Sequence, residues 1–249
     1  MGGLVVLKQS AIAVGLLFAA VGHVRADCAD LSLVLAIDAS GSIDSGEFAL
    51  QQEGYVGAFR SPRVQASLAA AGVVDIAVIL WGDAEFAPQI LPWRRLQSAS
   101  DAERLAGLID GRPRVVAGNT GIGRGVTTAI DMLQEPDRCG WRKLVNVSGD
   151  SIETLPPRPR PRLYVPLHTA RERAVTAGIS INALATETDD PNLSDWYRNH
   201  LITGPGAFVM VIGGFEDFGD AILEKPAREI APPVLAAIKP AIWPDSARN

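Results

Sequence analysis

Short apolar runs alternate with amphipathic stretches along most of the chain. Six runs are long enough for a strand and too short for a typical helix. They cover residues 31–37, 73–81, 89–93, 144–147, 179–184 and 208–212. The first run is almost entirely apolar, which is typical of a strand buried on both faces. This pattern predicts a sheet whose two faces are both covered.

Helical periodicity occupies the intervals between these runs. Apolar residues recur at helical spacing between Phe48 and Phe59, and Ser61-Pro62 is predicted to end that helix. Residues 101–109 and 121–133 are predicted as two further helices. Strands and helices therefore alternate, which predicts the α/β class: a three-layer, doubly wound, mostly parallel sheet with helices on both faces.

The amino-terminal segment has the features of a secretory signal. Lys8 precedes an apolar core at residues 11–22, and small residues flank the end of the segment at Ala26. We predict a signal peptide over residues 1–26. An uncleaved anchor is the alternative, although the core is shorter than the roughly 20 residues that a spanning helix needs.

The predicted mature chain, residues 27–249, has no second apolar run long enough to span a bilayer. It shows no internal repeat and no long linker. We therefore expect a single domain with a carboxy-terminal tail from about residue 231, no membrane span, and a periplasmic or secreted location.

Charge and cysteine content narrow the function classes. The formal charge is −5, and removing the signal peptide with its two basic residues makes it about −7, which argues against a nucleic-acid partner. The two cysteines, Cys28 and Cys139, are too few for a disulfide-built scaffold. In an oxidising compartment such a pair is a candidate bridge.

Oxygen-bearing side chains follow the first predicted strand. Asp38, Ser40 and Ser42 stand at alternate positions, and Asp44 forms a capping box with Glu47 that starts the next helix. In a parallel sheet, ligands bind beyond the carboxyl ends of the strands. Carboxylates and hydroxyls are ligands that Mg²⁺ accepts. Asp and Ser are also common turn residues, so this motif alone leaves both readings open.

Two further loops contribute oxygen ligands. Thr120 lies just before a predicted helix, and Asp150 ends the strand segment "VNVSGD". With the D-x-S-x-S loop, these segments resemble the von Willebrand factor A-like fold and its metal-ion-dependent adhesion site. The resemblance implies one divalent cation, Mg²⁺ or else Mn²⁺ or Ca²⁺. Its implied ligands are Asp38, Ser40, Ser42, Thr120 and Asp150.

A closer resemblance covers four longer segments. They are "VNVSGD", "AGISINAL", "WYRNHLITGPGAFVM" and "DFGDAILEKPARE". Together they look like a family of bacterial exported proteins of unknown function with this same fold. The chain departs from the expected pattern after Asp150, where Ser151-Ile152-Glu153 and a Pro/Arg stretch replace Gly and Asn. This resemblance supports the fold and leaves the biochemical role open.

The resemblance also implies that the first and fourth strands are parallel neighbours. Cys28 lies ten residues before Asp38, and Cys139 lies eleven before Asp150. If the two aspartates meet at one end of the sheet, the cysteines meet at the other, across about 4.8 Å. A bridge tolerates that separation. We predict a Cys28–Cys139 disulfide, with two free buried thiols as the alternative.

The predicted function is an exported, metal-dependent, adhesion-type module that binds an Asp or Glu carboxylate of a protein partner. A metal-dependent hydrolase and a structural domain without metal are the alternatives. We expect no enzyme, because no G-x-S-x-G elbow is present; a hydrolase would have to pair Ser40 with His168 or His200.

Two remaining features are predicted to be structural. Residues 121–125, "GIGRG", match no nucleotide-binding loop, so we expect these glycines to allow close helix packing. Four tryptophans are predicted as packing or capping aromatics. They are Trp81, Trp93, Trp141 and Trp196.

Overall fold

Strands and helices alternate along the part of the chain that the computed structural model describes, residues 28–154 and 164–230. The strands are β1 Ala29–Asp38, β2 Val74–Trp81, β3 Gln89–Leu96, β4 Gly140–Gly149, β5 Ser180–Thr186 and β6 Val209–Ile212. The α-helices are α1 Ser45–Arg60, α2 Pro62–Ala71, α3 Ala99–Ile109, α4 Ile122–Leu133, α5 Leu167–Thr176, α6 Leu193–His200 and α7 Phe218–Ile230. A short 3₁₀ turn, Phe215–Asp217, precedes α7. The predicted signal peptide, the Pro/Arg stretch and the tail from residue 231 lie outside the described residues.

One sheet organises these elements. Its strand order is β3-β2-β1-β4-β5-β6, and every pair is parallel except β2 with β3. Side chains of β1 alternate between two cores, with Leu33 and Leu35 on one face and Val34 and Ala36 on the other. Helices α1, α2, α3 and α7 cover the first face, and α4, α5 and α6 cover the second. The predicted three-layer α/β fold is confirmed.

The structure differs from the sequence-based prediction in two places. Ser61-Pro62 ends α1, as predicted, but it also starts α2, which was not predicted. The Ser61 hydroxyl accepts from the Val64 amide, and Pro62 occupies the first helical position, where its missing N–H costs nothing. Trp141 is the second difference: it is 81% exposed, whereas the other three tryptophans named above pack against the core.

The predicted disulfide between Cys28 and Cys139 is confirmed. The Cα atoms lie 4.6 Å apart, and the amide of Ala29 donates to the carbonyl of Cys139 at 2.8 Å. The bridge therefore joins the amino ends of β1 and β4, which are neighbours in the sheet. It closes a loop with a sequence separation of 111 residues.

The predicted packing role of the "GIGRG" glycines is also confirmed. A Cβ on Gly121 would meet the Gly82 carbonyl oxygen at 2.8 Å, and one on Gly123 would meet the Val165 carbonyl oxygen at 2.1 Å. A Cβ on Gly125 would meet Cγ of the buried Trp81 at 2.7 Å. The glycines thus allow α4 to pack closely against Trp81 of β2 and against the loops that contain Gly82 and Val165.

Replacing Gly125 with alanine is expected to destabilise the protein despite the higher helix propensity of alanine. The added methyl group has no room beside Trp81, and overpacking of this kind costs about 1 to 3 kcal/mol. Gly107 in α3 is a matched control, because its Cβ would meet nothing within 4 Å. Gly107→Ala is expected to stabilise by about 0.4 to 1 kcal/mol. Urea unfolding curves that move in the same direction for both variants would contradict this account.

Candidate metal centre

The structure brings the five predicted oxygen-bearing side chains together at the carboxyl edge of the sheet. Asp38 ends β1, and Asp150 directly follows β4, the parallel neighbour of β1. The Ser42 hydroxyl donates to Asp150 Oδ1 at 2.8 Å, across 108 residues of sequence. Within the first loop, the Ser40 amide donates to Asp38 Oδ1 at 2.8 Å. Two of the three predicted loops are thus joined directly.

Hydroxyl groups link the third loop to the other two. Thr120 Oγ1 lies 3.5 Å from Ser40 Oγ, and Ser40 Oγ lies 3.2 Å from Ser42 Oγ. Thr120 Oγ1 also lies 3.0 Å from the hydroxyl of Ser151, beside Asp150. Ser42 is exposed, whereas Asp38 and Ser40 are fully buried. The cluster, which we call the oxygen cluster, is therefore closed at the bottom and open to solvent at Ser42.

Asp38 is the buried carboxylate of the cluster. Burial, and secondarily the charge of Asp150, raise the pKa of Asp38 to about 8. Oδ2 of Asp38 has no hydrogen-bond partner among the described residues. Burial also raises the pKa of Asp150, against the hydrogen bonds from Ser42 and Ser151. Two close carboxylates, one with a free buried oxygen, need a compensating positive charge to be ionised together.

The chemistry of the oxygen cluster fits a hard divalent cation. Two carboxylates and three hydroxyls are oxygen ligands of the kind that Mg²⁺ accepts, and Asp38 Oδ2 is free to bind. Among the described residues, no group of three or more His, Cys, Asp or Glu side chains is placed to hold a metal. Any metal at this edge would therefore be held by the mixed carboxylate and hydroxyl set.

Backbone contacts between loops hold the oxygen cluster in place. The Gly41 amide donates to the Gly118 carbonyl at 2.7 Å, and a Cβ on Gly41 would meet that oxygen at 3.0 Å. Gly118 has a φ of 84°, in the left-handed region that favours glycine. Arg114 donates to the carbonyls of Ser40 and Ile43. These contacts fix the first loop against the loop that carries Thr120.

Asp83 supports the Thr120 loop, and the sequence analysis missed it. Its Oδ2 accepts from the Asn119 side chain at 2.7 Å and from the Asn119 amide at 3.2 Å, while Oδ1 accepts from the Glu85 amide. A signal was present, because Asp83 comes just after β2, in the same way as Asp150 comes just after β4 and Asp38 ends β1. Its hydrogen bonds position a loop, and none of them reaches the oxygen cluster.

Two other neighbours of the oxygen cluster, Gly149 and Tyr197, had no signal in the sequence. A Cβ on Gly149 would lie 2.6 Å from the Tyr197 hydroxyl and 3.0 Å from Asp38 Oδ2, so only glycine fits there. The Tyr197 hydroxyl donates to the Ser151 carbonyl at 3.1 Å. Burial and the nearby carboxylates raise the pKa of Tyr197. Only the tertiary structure brings α6 over this edge.

Comparison with known proteins assigns the chain to a family. The family model described as "Protein of unknown function (DUF1194)" matches residues 27–234. The chain belongs to the DUF1194 family. No curated protein matches it in sequence.

Solved structures confirm the fold of this DUF1194 protein. The pilus adhesin SpaC from Lactobacillus rhamnosus GG is similar over 82% of this chain and 31% of its own, with 14% identity and a TM-score of 0.58. Proximal thread matrix protein 1 from the mussel byssus is similar over 78% of this chain and 45% of its own, with 13% identity and a TM-score of 0.54. This chain thus spans less than half of either protein.

The vWF domain of the type V pili tip protein Mfa5 from Porphyromonas gingivalis is similar over most of its length. The match covers 82% of the DUF1194 chain and 95% of the Mfa5 domain, with 12% identity and a TM-score of 0.54. The resemblance to a von Willebrand factor A-like domain is therefore confirmed for the fold. Among the residues that the structure describes, no helix combines the length and apolar character needed to cross a bilayer.

Exposed apolar side chains lie in three of the loops at the carboxyl edge of the sheet. Phe86 is 53% exposed in the loop after β2, Val115 is 67% exposed in the loop before α4, and Ile152 is 38% exposed after Asp150. The Val115 amide contacts the Gln89 side chain at the start of β3, which pairs with the end of β2. We call Phe86, Val115 and Ile152 the apolar rim. It offers apolar surface on the same edge of the sheet as the oxygen cluster.

The two histidines considered for a hydrolase lie elsewhere. His168 is exposed in α5, and the ring of His200 lies against that of Trp196 in a tilted arrangement, with centroids 4.9 Å apart. Within the described residues, the hydroxyl of Ser40 has other hydroxyls as its hydrogen-bond partners, and neither histidine is among them. A serine–histidine pair is therefore not formed.

Proposed function

We propose that this DUF1194 protein is exported and binds a protein partner through a divalent cation at the oxygen cluster. One observation carries the proposal: side chains from three loops converge there while Asp38 Oδ2 stays buried without a partner among the described residues. Mg²⁺ is the expected ion, with Mn²⁺ and Ca²⁺ as alternatives.

The residues of the oxygen cluster would contribute to metal binding in two ways. Asp38 and Asp150 would supply the negative charge, and the hydroxyls of Ser40, Ser42 and Thr120 would add neutral oxygens. A divalent cation held in this way would offer an acidic group an open coordination position. Because Ser42 is exposed, that position would face solvent, where an Asp or Glu of the partner could reach it.

Three observations support a protein partner and an exported location. The apolar rim supplies exposed aromatic and aliphatic side chains, and aromatic residues are enriched at protein interfaces. The disulfide Cys28–Cys139 suits an oxidising compartment. The structural neighbours described above carry names of a pilus adhesin, a thread matrix protein and a pilus tip protein, and none of these names denotes an enzyme.

The proposal is tested by thermal unfolding and capture, each with Mg²⁺, with Mn²⁺ and with a chelator. Binding to the folded state raises the unfolding temperature in proportion to ln(1 + [L]/Kd), so the metal should stabilise the exported chain. Capture from the envelope fraction of the exporting cells should need the same metal and should fail with Asp38→Ala. Replacing the partner's candidate acidic residues by amides should then weaken capture. Equal capture in metal and in chelator would rule the proposal out.

The apolar rim is expected to contribute to partner binding without affecting the metal. Phe86→Ser should weaken binding of the partner by about 1 to 2 kcal/mol, which is roughly five- to thirtyfold in Kd. Truncation of an aromatic side chain in an interface has effects of this size. Val115→Ser should have a smaller effect in the same direction. Val175→Ser is the matched control, since Val175 is 58% exposed on α5, outside the rim. Calorimetry should give the same metal affinity for all three variants.

The two alternatives predict different results. A metal-dependent hydrolase would turn over ester or phosphate substrates, yet the described residues place no histidine on the Ser40 hydroxyl. A purely structural domain would bind neither Mg²⁺ nor Mn²⁺, so neither metal would raise its unfolding temperature. The free buried oxygen of Asp38 favours the metal-binding proposal over this second alternative.

A further inference from the structure

The sheet ends in two edge strands, β3 and β6, and they are protected very differently. β3 contains Pro92 and the exposed Arg94, and its pairing with β2 is interrupted by a register shift. Proline, charged side chains and bulges are devices by which proteins keep an edge strand from pairing with another chain. β6 is short, but its sequence VMVI has no proline and no charge, and its pairing with β5 is regular. The edge at β6 is therefore the less protected of the two.

The outer side of β6 presents unpaired backbone groups. The amides of Ala183 and Glu187 donate to the carbonyls of Phe208 and Ile212, so these carbonyls point towards β5. Because backbone groups alternate in direction along a strand, the amides and carbonyls of Val209 and Val211 point away from β5. Among the described residues, no strand lies beyond β6. The outer side of β6 is thus free to pair with one more strand.

A groove with a volume of about 560 Å³ lies between β6 and the first turns of α7. Met210 and Val211 line it from the strand, and Ala221 and Leu223 line it from the helix. Met210 packs against the core that α7 covers, so Val211, its neighbour, faces the opposite side of the sheet. The side chain of Val211 is 40% exposed. Apolar surface is therefore available beside the free backbone groups.

The helix wall of this groove is acidic. Asp217, Asp220 and Glu224 line the groove, and the cation that lines it, Arg63, pairs with Glu224 at 3.5 Å. Asp217 and Asp220 are exposed and form no ion pair within the described part of the chain. Acidic residues are favourable at the start of a helix in any case, so their charge alone would not indicate a partner. The unprotected strand beside them is the independent observation.

A strand added beyond β6 would meet two different surfaces. Its side chains on one face would lie on the side of Asp217 and Asp220, and those on the other face would lie on the side of Val211. Residues of a strand alternate between faces, so these surfaces match a segment in which Lys or Arg alternates with apolar residues. The acidic wall ends at Arg228, which lies over Phe208 with its guanidinium carbon 3.7 Å from the ring centroid.

We propose that β6 is a docking edge for an extended basic segment of a partner protein, which adds a seventh strand to the six-stranded sheet. Backbone hydrogen bonds to Val209 and Val211 provide the affinity, and contacts with Asp217 and Asp220 select a basic sequence. β6 lies two strands away from β4, and the docking edge needs no metal. The proposal does not depend on the function proposed for the oxygen cluster.

The probe is a short synthetic peptide in which lysine alternates with valine. It is titrated without added metal into the ¹⁵N-labelled chain that starts at residue 27, and it should shift the backbone amide signals of residues 209–213. A peptide with glutamate in place of lysine should cause no shift. An isomer in which all lysines precede the valines has the same charge and composition, and it should bind more weakly because it cannot place its charges on one face.

Two variants test the two parts of the docking edge. Val211→Pro removes an outward amide without removing a hydrogen bond to β5, and it should weaken peptide binding about tenfold. Asp220→Asn removes one exposed charge and should weaken binding about two- to fivefold. Urea unfolding should show that both variants are folded, and Asp220→Asn remains a test if Val211→Pro is not.

Two further variants are controls. Glu172→Gln makes the same charge change at an exposed position on α5, on the other face of the sheet, and should leave the affinity unchanged. Asp38→Ala should also leave it unchanged. The proposal is overturned if the alternating peptide leaves the amides of residues 209–213 unshifted at millimolar concentration, or if Glu172→Gln weakens binding as much as Asp220→Asn.

Other occupants of the β6 edge give different results. If sedimentation shows a dimer that Val211→Pro dissociates, the edge pairs with a second copy of the chain. If the peptide binds only after residues 231–249 are removed, the edge belongs to the chain's own tail. Either result overturns the proposal, which expects a monomer that binds the peptide with residues 231–249 present.

Discussion

Asp38→Ala is expected to abolish Mg²⁺ and Mn²⁺ binding by the chain that starts at residue 27. Asp38 would supply one of the two carboxylates of the oxygen cluster, and its Oδ2 is the buried oxygen that lacks a partner among the described residues. Removing it takes away one of the two negative charges and a buried ligand position, and a hard cation is held poorly by the single remaining carboxylate with neutral hydroxyls. Isothermal titration calorimetry should detect one site in the parent chain and none in the variant.

The same substitution is not expected to weaken the fold of the metal-free protein. The buried carboxylate is held close to Asp150, and burial of an uncompensated charge is unfavourable. Asp38→Asn removes the negative charge, so it should also abolish metal binding. Because asparagine has nearly the same shape as aspartate, this variant should unfold at the same or a higher urea concentration than the parent. A metal-free variant much less stable than the parent would mean that Asp38 has a structural role.

Asp75→Asn is the matched control for this experiment. Asp75 is also buried, but it lies near the amino end of β2 and pairs with Arg95 at 2.9 Å. Its loss should destabilise the fold and leave metal binding intact. If Asp75→Asn and Asp38→Ala reduce metal binding equally, the cation is bound elsewhere or lost through unfolding, and the proposed site is wrong.

Removing the disulfide is expected to cause the largest loss of stability. In chain-entropy models, a bridge that closes a loop of this length stabilises the native state by roughly 4 to 5 kcal/mol, and real values are often lower. The double variant Cys28→Ser/Cys139→Ser should therefore unfold at a clearly lower urea concentration. The total free energy of unfolding of a small domain is about 5 to 15 kcal/mol, so the bridge would account for a substantial fraction of it.

Reduction provides the control for this second prediction. Dithiothreitol should lower the stability of the parent chain towards that of the double variant, and it should leave the double variant unchanged. Because the bridge lies at the amino edge of the sheet, the folded double variant should still bind metal with the parent affinity. A parent chain whose unfolding curve ignores the reductant would show that the bridge contributes little.

Local pattern was sufficient for the fold class and for most elements. The apolar run that became β1 and the periodic stretch that became α1 each have one dominant period, so burial on a sheet or on one helical face follows directly. The capping box at Asp44 formed as predicted, since the Asp44 side chain accepts from the Gly46 and Glu47 amides. Helix α2 was missed because a proline can follow the end of one helix or occupy the first turn of the next. Here Ser61 is both the carboxy-terminal cap of α1 and the amino-terminal cap of α2.

The candidate metal ligands could also be predicted from the sequence, but only with the resemblance. D-x-S-x-S is local, whereas the meeting of Asp38 with Asp150 depends on β1 and β4 being parallel neighbours. The disulfide depended on the same adjacency. Gly149 and Tyr197 could not be placed in this way, because their roles arise from loop and helix contacts over the carboxyl edge.

The sequence by itself determined the alternation of strands and helices, the cap that starts α1 and the presence of oxygen side chains at strand ends, because each depends on neighbours within a few residues. The tertiary structure alone decided the exposure of Trp141 and the burial of Glu229 against Asn146 and Asn182 of the sheet. Those features depend on where β4 extends beyond β5 and on which face of α7 packs against the sheet. Contacts between residues far apart in the chain leave no periodic trace in the sequence.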